Sequence, residues 1–300
     1  MFRTLRNAFD SVLNSYSELF FIEGKWVGAL VLVLSCLNPK VALMGFLALV
    51  SAYAFASFIG YRNDFLTSGF YTYNPTLVGF SIGTIFEVHP LSIGITIIAG
   101  VLTFIVSVAL AQIFDQYLGI KILSVPFVIV SSLIYLAAAQ FSNLYVKSLG
   151  AILFQESWIN LPVVLIGFFK ALGAIIFLPY IQVGVCLFVG CFFFSRIIPI
   201  LALLGYFTGA SISAVLTGHS VSAFLDINNF NYILIAIALG CIYLVPSIKS
   251  YIIALSAVAV STLVVAATKV FWAYYGIPVF TLPFNLVTLF FLYVLGLVQF

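Results

Sequence analysis

The sequence predicts an all-α integral membrane protein made of two related halves, and three observations lead there. Apolar residues (AVILMFWYC) fill 64% of the 300 positions and charged residues only 6%, whereas soluble proteins carry roughly 25% charged residues. A soluble domain of this size could not cover its surface with so few charges. The apolar runs are continuous, without the in–out alternation of a barrel strand, so the spans are helical. Third, a block beginning at Tyr73 reappears at Phe230, and a block beginning at Gly119 reappears at Gly276.

The same composition excludes several chemistries. A net charge of +3 spread along the chain offers no basic patch for nucleic acid. His89 and His219, with Cys36, Cys186, Cys191 and Cys241, show no metal-ligand spacing. All four cysteines lie in apolar stretches, where the thiol acts as a small core side chain. With no glycine-rich phosphate loop and no GxSxG, neither nucleotide hydrolysis nor acyl transfer is expected. The expectation is a non-enzyme without a cofactor.

Residues 1–21 repeat Phe2, Leu5, Phe9, Val12, Tyr16 and Leu19 every three or four positions, with Arg3, Arg6 and Asp10 between them. That spacing predicts an amphipathic helix at, or dipping into, the membrane interface. Asn7, Asp10, Ser11 and Asn14 interrupt the apolar core that a signal peptide needs, so the segment is expected in the mature protein. Apolar segments follow at about 26–37, 41–60, 91–113, 122–141 and 146–154. A second set lies at about 162–178, 181–194, 197–217, 230–246, 250–272 and 279–299. Crossing the hydrocarbon takes about 20 helical residues, so several are half-helices or re-entrant pieces, sheltered by protein or an aqueous path. The 11 Lys and Arg are scattered over nearly every loop and fix no orientation. The expected division is 1–21 as the first part of repeat one, 22–145 as its remainder, 146–160 as a connection and 161–300 as repeat two.

The two duplicated blocks share one offset of 157 residues and match at Asn, Gly and Pro rather than at interchangeable aliphatics. Upstream, Phe21 to Gly28 falls on Phe177 to Gly184 at an offset of 156. Internal duplication with interrupted segments at equivalent places marks a transporter or channel whose site lies near the midplane, between the repeats. If each half crosses an odd number of times, the halves insert with opposite topology. Asn74-Pro75 suits a helix start, with Asn accepting from free N–H groups and Pro at the first position. Such a helix after the loop Tyr61–Thr72 is a half-span whose N-terminus aims free N–H groups into the protein. Asn231 takes the same place in the second half, beside Tyr232 instead of Pro.

Ser124 and Thr281 each stand two residues before a proline. Pro126 and Pro283 lack backbone donors, so upstream carbonyls are freed beside a small hydroxyl. That makes a polar spot suited to a neutral, hydrogen-bonding solute; the alternative is a kinked helix whose hydroxyl bonds its own backbone. Ion-coupled carriers place charged groups within spans. Here Asp10, Glu18, Glu23, Asp64, Glu87, Asp115, Glu156 and Asp226 mostly fall at segment edges, and the counterpart of Glu18 is Ala174. The pattern favours passive flow.

These blocks resemble the urea transporter family over nearly the whole chain. Gly276-Ile277-Pro278-Val279-Phe280-Thr281-Leu282-Pro283-Phe284-Asn285 is similar to its LPxFTxPFN signature. Tyr71-Thr72-Tyr73-Asn74-Pro75-Thr76-Leu77-Val78-Gly79 is similar to its YNxxLVG element, and Ser15-Tyr16-Ser17-Glu18-Leu19-Phe20-Phe21 to its SxxQVFF entry segment. The resemblance implies two inverted repeats, ten transmembrane helices with pore-lining half-helices, and a homotrimer in the cell membrane with one pore per subunit. It implies passive conduction of urea between aromatic slots, along a ladder of oxygens, past a hydroxyl-lined constriction. Carried over by motif, Phe21 and Tyr73 form the outer slot, with Glu18 in the entry segment, and Phe177 and Phe230 form the inner slot. Leu19, Ile175, Leu77 and Leu234 line the middle, and Ser124 and Thr281 supply the hydroxyls. The chain departs from the pattern at Ala174, which lacks the entry-segment oxygen, at Tyr73 for Phe, at Ser124 for Thr, and at Val128, the counterpart of Asn285. A channel for another small neutral solute, such as a short amide or ammonia, and a proton-coupled carrier using Glu18 and Asp64 are the competing transport functions. A membrane scaffold has no need of duplicated half-helices.

Overall fold

The structure, a computed structural model, describes residues 2–22, 24–61, 67–141, 144 and 161–297. Arg62, Asn63, Asp64, Glu23 and the expected connection 146–160 lie outside the described residues. So do the side chains of Phe2 and Leu5 in the expected amphipathic pattern. Every described element is helical, as the unbroken apolar runs require, and the chain divides into two compact units. Unit one is Met1–Tyr117 with Lys121–Leu153, and unit two is Leu118–Ile120 with Phe154–Phe300.

Unit one holds α1 (Phe2–Ser17), a 3-10 turn (Glu18–Phe20), α2 (Lys25–Ser35), α3 (Pro39–Phe58), α4 (Tyr73–Ile85), α5 (Pro90–Leu118) and α6 (Val125–Ala138). Unit two holds α7 (Val163–Ala174), α8 (Ile181–Phe194), α9 (Ile197–Thr217), α10 (Ser220–Leu225), α11 (Phe230–Ile237), α12 (Ile248–Tyr274) and α13 (Leu282–Leu297). A π turn, Ala238–Ile242, extends α11. Among the described residues, helices α3, α5, α9 and α12 are long and apolar enough to cross a membrane, and six others are shorter apolar helices. Starts recur at the sequence offset: α2 and α8 open 156 positions apart, and α4 and α11, like α6 and α13, open 157 apart.

The short helices explain the uneven hydropathy segments. At 1.5 Å per residue, α4 is roughly 20 Å long against roughly 30 Å of hydrocarbon. It is buried on all sides, with only Thr84 among its 13 residues reaching the surface. All eight residues of α11 are buried too. An incomplete span is tolerated only with such protein cover, because its backbone ends cannot face lipid.

Helix α4 packs on α3 at backbone contact. A Cβ placed on Gly79 would stand 2.3 Å from the Met44 carbonyl oxygen and 2.6 Å from the Gly45 Cα, so even alanine forces the helices apart. Gly79→Ala is expected to destabilise the protein by about 1–3 kcal/mol, read as a lower thermal midpoint in detergent. Gly94→Ala, where an added methyl meets nothing within 4 Å, should leave the midpoint unchanged or slightly raised.

The N-terminal helix packs one face against the rest of unit one. Ser11, Leu13, Ser15, Tyr16 and Ser17 are all buried, so its C-terminal half is a packed element of unit one. The polar side is satisfied by protein: Ser15 Oγ lies 2.6 Å from Thr72 Oγ1, and the Tyr53 hydroxyl donates to the Ser11 carbonyl at 3.1 Å. Polar residues spaced around a helix read alike whether they face water or a hydroxyl network. Only the partners Tyr53 and Thr72, far off in sequence, tell the two apart.

Candidate functional site

Among the described residues, four that are not glycine adopt left-handed backbone: Phe21 (φ 57°), Leu123 (φ 49°), Phe177 (φ 61°) and Phe280 (φ 51°). They form two pairs, Phe21 with Phe177 at the 156 offset and Leu123 with Phe280 at 157. For bulky residues this conformation is an outlier costing on the order of 1–3 kcal/mol, and such strain gathers at functional sites.

The first pair closes helix ends. The Phe21 N–H donates to the Glu18 carbonyl (3.0 Å) and the Ile22 N–H to the Ser17 carbonyl (3.4 Å). In unit two, the Phe177 N–H donates to the Ala174 carbonyl (3.0 Å) and the Leu178 N–H to the Gly173 carbonyl (3.0 Å). This is a Schellman ending, in which glycine normally takes the left-handed position. Phenylalanine stands there twice.

The second pair is held by a buried asparagine. In unit one, Asn74 Nδ2 donates to the Leu123 carbonyl at 3.3 Å, and Asn74 Oδ1 accepts from the Phe127 N–H at 3.3 Å. In unit two, Asn231 Nδ2 donates to the Phe280 carbonyl at 3.1 Å, and Asn231 Oδ1 accepts from the Phe284 N–H at 3.1 Å. Each amide thus bridges the strained residue and the third residue of the following helix. One side chain satisfies a carbonyl and a first-turn donor that α6 or α13 cannot satisfy itself.

These contacts correct two expectations. Asn74 lies inside α4, behind Thr72 at the cap position, and its side chain caps α6 instead of its own helix. Pro126 and Pro283 are second residues of α6 and α13, where the missing N–H would lack an intrahelical acceptor anyway. They start helices and kink none, so no upstream carbonyls are freed. The polar spot beside Ser124 and Thr281 comes from helix starts.

The predicted residues fall around these features. In unit one, Glu18 opens the 3-10 turn and is half-buried, Leu19 follows it buried, and Phe21 is half-buried. Tyr73 is the first residue of α4, Leu77 lies one turn further, and Ser124 immediately precedes α6; all three are buried. The Tyr73 hydroxyl donates to the Leu123 carbonyl, so this oxygen, where the family has Phe, serves the backbone. In unit two, Ile175 caps α7, Phe230 opens α11, Leu234 lies one turn on, and Thr281 immediately precedes α13, all buried. The Phe177 ring meets the Phe280 ring at 6.4 Å, tilted by 56°.

Leu123 and Phe280 were not singled out from sequence. Both stand three residues before a proline and four after Gly119 or Gly276, themselves left-handed at φ 64° and 65°. That spacing was the available signal. The halves also diverge: Asn285 Nδ2 donates to Thr281 Oγ1 at 3.3 Å, whereas Val128 has no amide to offer Ser124. Among the described residues no three His, Cys, Asp or Glu side chains gather as metal ligands. The site offers rings, amides, hydroxyls and backbone ends.

Short buried helices, long apolar ones, and the same strained corners built twice in one chain define a polytopic helical membrane transporter. The sequence matches the urea transporter family over residues 9–296. The chain belongs to that family, is embedded in a membrane, and carries urea across it.

Proposed function

We propose that transport is passive and channel-like, through a narrow pore in which solute meets each half-site. The doubled asparagine clamp carries this reading, because a strained corner built twice implies that solute meets equivalent surroundings twice. Phe21 with Tyr73 forms the outer slot and Phe177 with Phe230 the inner one, and Phe280 adds a ring to the inner set. Urea is flat and neutral, with N–H donors in its plane and one carbonyl acceptor. Parallel rings admit such a plate, whereas an ion would lose its water without replacement ligands. Helix ends leave carbonyls without an intrahelical donor, and those beyond Glu18 and Ala174 supply an oxygen edge for the urea N–H groups. Leu19, Leu77, Ile175 and Leu234 keep the middle dry, and Ser124 and Thr281 place hydroxyls there. Several weak sites in series let solute leave as readily as it enters. The protein works as a homotrimer in the cell membrane, one pore per subunit.

Flux into proteoliposomes tests this. Urea uptake should follow its gradient, ignore pH and membrane potential, and saturate only at high concentration. Uptake that collapses on dissipating a proton gradient would instead establish a coupled carrier. Faster passage of ammonia or a short amide than of urea would reassign the solute.

A further inference from the structure

The sequence places Asp226 at a segment edge, and the structure gives it a partner and a task. Its carboxylate forms an ion pair with Lys269 on α12. Its Oδ1 accepts from the Asn228 N–H at 2.9 Å and from Asn228 Nδ2 at 2.9 Å. The Asn228 carbonyl in turn accepts from Asn231 Nδ2 at 3.2 Å, the same amide nitrogen that donates to the Phe280 carbonyl. A hydrogen-bonded line therefore runs from Lys269 through Asp226 and Asn228 to the clamp. It ends on the residue whose ring meets Phe177.

The line has no counterpart in the first half. At the 157 offset, Asp226, Asn228 and Lys269 become Gly69, Tyr71 and Gln112, none of which can form an ion pair. Unit one braces the start of α4 with neutral hydroxyls, Thr72 Oγ1 bonding Ser15 and Tyr53. One half-site is tied down by uncharged groups and the other by a charge pair.

We propose that Lys269 and Asp226 are positioning residues for the second half-site, fixing Asn231, and through it Phe230 and Phe280, in the geometry that discriminates urea from bulkier amides. This rests on the urea-channel reading above. Lys269 is part-exposed, with 38% of its side-chain surface accessible, so the pair contributes more to geometry than to stability. The charged acceptor makes the contact to the Asn228 N–H stronger and better aligned than a neutral one would.

The test compares urea and methylurea uptake into proteoliposomes holding equal amounts of monodisperse protein. Lys269→Met is expected to raise the half-saturating urea concentration and lower the urea-to-methylurea ratio, each by about fivefold. Lys269→Arg should restore both. Lys249→Met removes an exposed charge from the first turn of the same helix and should change neither. Asp226→Asn, which keeps an acceptor for Asn228 and loses the ion pair, should shift both quantities in the direction of Lys269→Met, and it decides the matter if Lys269→Met cannot be purified folded. Wild-type ratio and half-saturation in Lys269→Met, or in Asp226→Asn, would overturn the positioning role. Wild-type protein that carries no urea down a gradient would instead sink the channel reading on which the role rests.

Discussion

Asn231→Ala should lower the stability of the protein by about 2–4 kcal/mol, and Asn74→Ala by about 1–2 kcal/mol less, since each buried backbone group left unpaired costs about 1–3 kcal/mol. Both replacements strip a carbonyl at the strained corner and an N–H in the first turn of the next helix, and Asn231→Ala also strips the Asn228 carbonyl. The difference comes from that extra contact and from Tyr73. Its hydroxyl also donates to the Leu123 carbonyl, so that oxygen keeps a donor when the Asn74 amide is gone. Position 230 is phenylalanine and has no hydroxyl to offer Phe280. Thermal midpoints in detergent, followed by size-exclusion chromatography, give the ranking. Adding Tyr73→Phe to Asn74→Ala should bring the first half down toward the level of the second. Midpoints unchanged from wild type in both single variants would mean that the amides do not carry the corners, and equal losses that Tyr73 does not compensate.

Phe177→Gly should separate selectivity from stability. Glycine is the usual occupant of a Schellman corner, so removing the Cβ relieves backbone strain while removing the ring. Phe177→Ala removes the ring and keeps the strain. Discrimination of urea from methylurea should fall about tenfold in both, the value of one aromatic contact of ~1.4 kcal/mol. The thermal midpoint should be higher for the glycine variant than for the alanine one. Replacing Phe177 and Phe230 together by alanine should alter selectivity further. A glycine variant with unchanged discrimination would show that the ring packs and does not select.

The fold class was legible because lipid is a simple solvent. It demands apolar surface and internally paired backbone, and both leave marks on composition that need no tertiary information. The offset of 157 was legible at Asn, Gly and Pro because those residues answer to backbone needs that aliphatics do not share. The role of Asn74 was not legible, since an asparagine before a proline looks like a cap whichever helix it caps. Its partners lie 49 and 53 positions away. Leu123 escaped for a related reason: a left-handed leucine looks like any leucine until its dihedral is known. Asp226 and Lys269 are 43 positions apart and belong to no motif, so charge at a segment edge was all that could be seen. The buried face of α1 was hidden in the same way, Ser11 and Ser15 being matched by Tyr53 of α3 and by Thr72 just before α4.

The clamps also bear on how the chain is made. Asn74 emerges from the ribosome about fifty residues before the carbonyl and N–H that it will bind, with the whole of α5 synthesised in between. Until then the Asn74 amide lacks both of the partners it holds in the fold, and Asn231 waits equally for the Phe280 carbonyl and the Phe284 N–H. Neither clamp can close until the helix after its strained corner has been made, so a chain stalled before α6 or before α13 leaves that latch open.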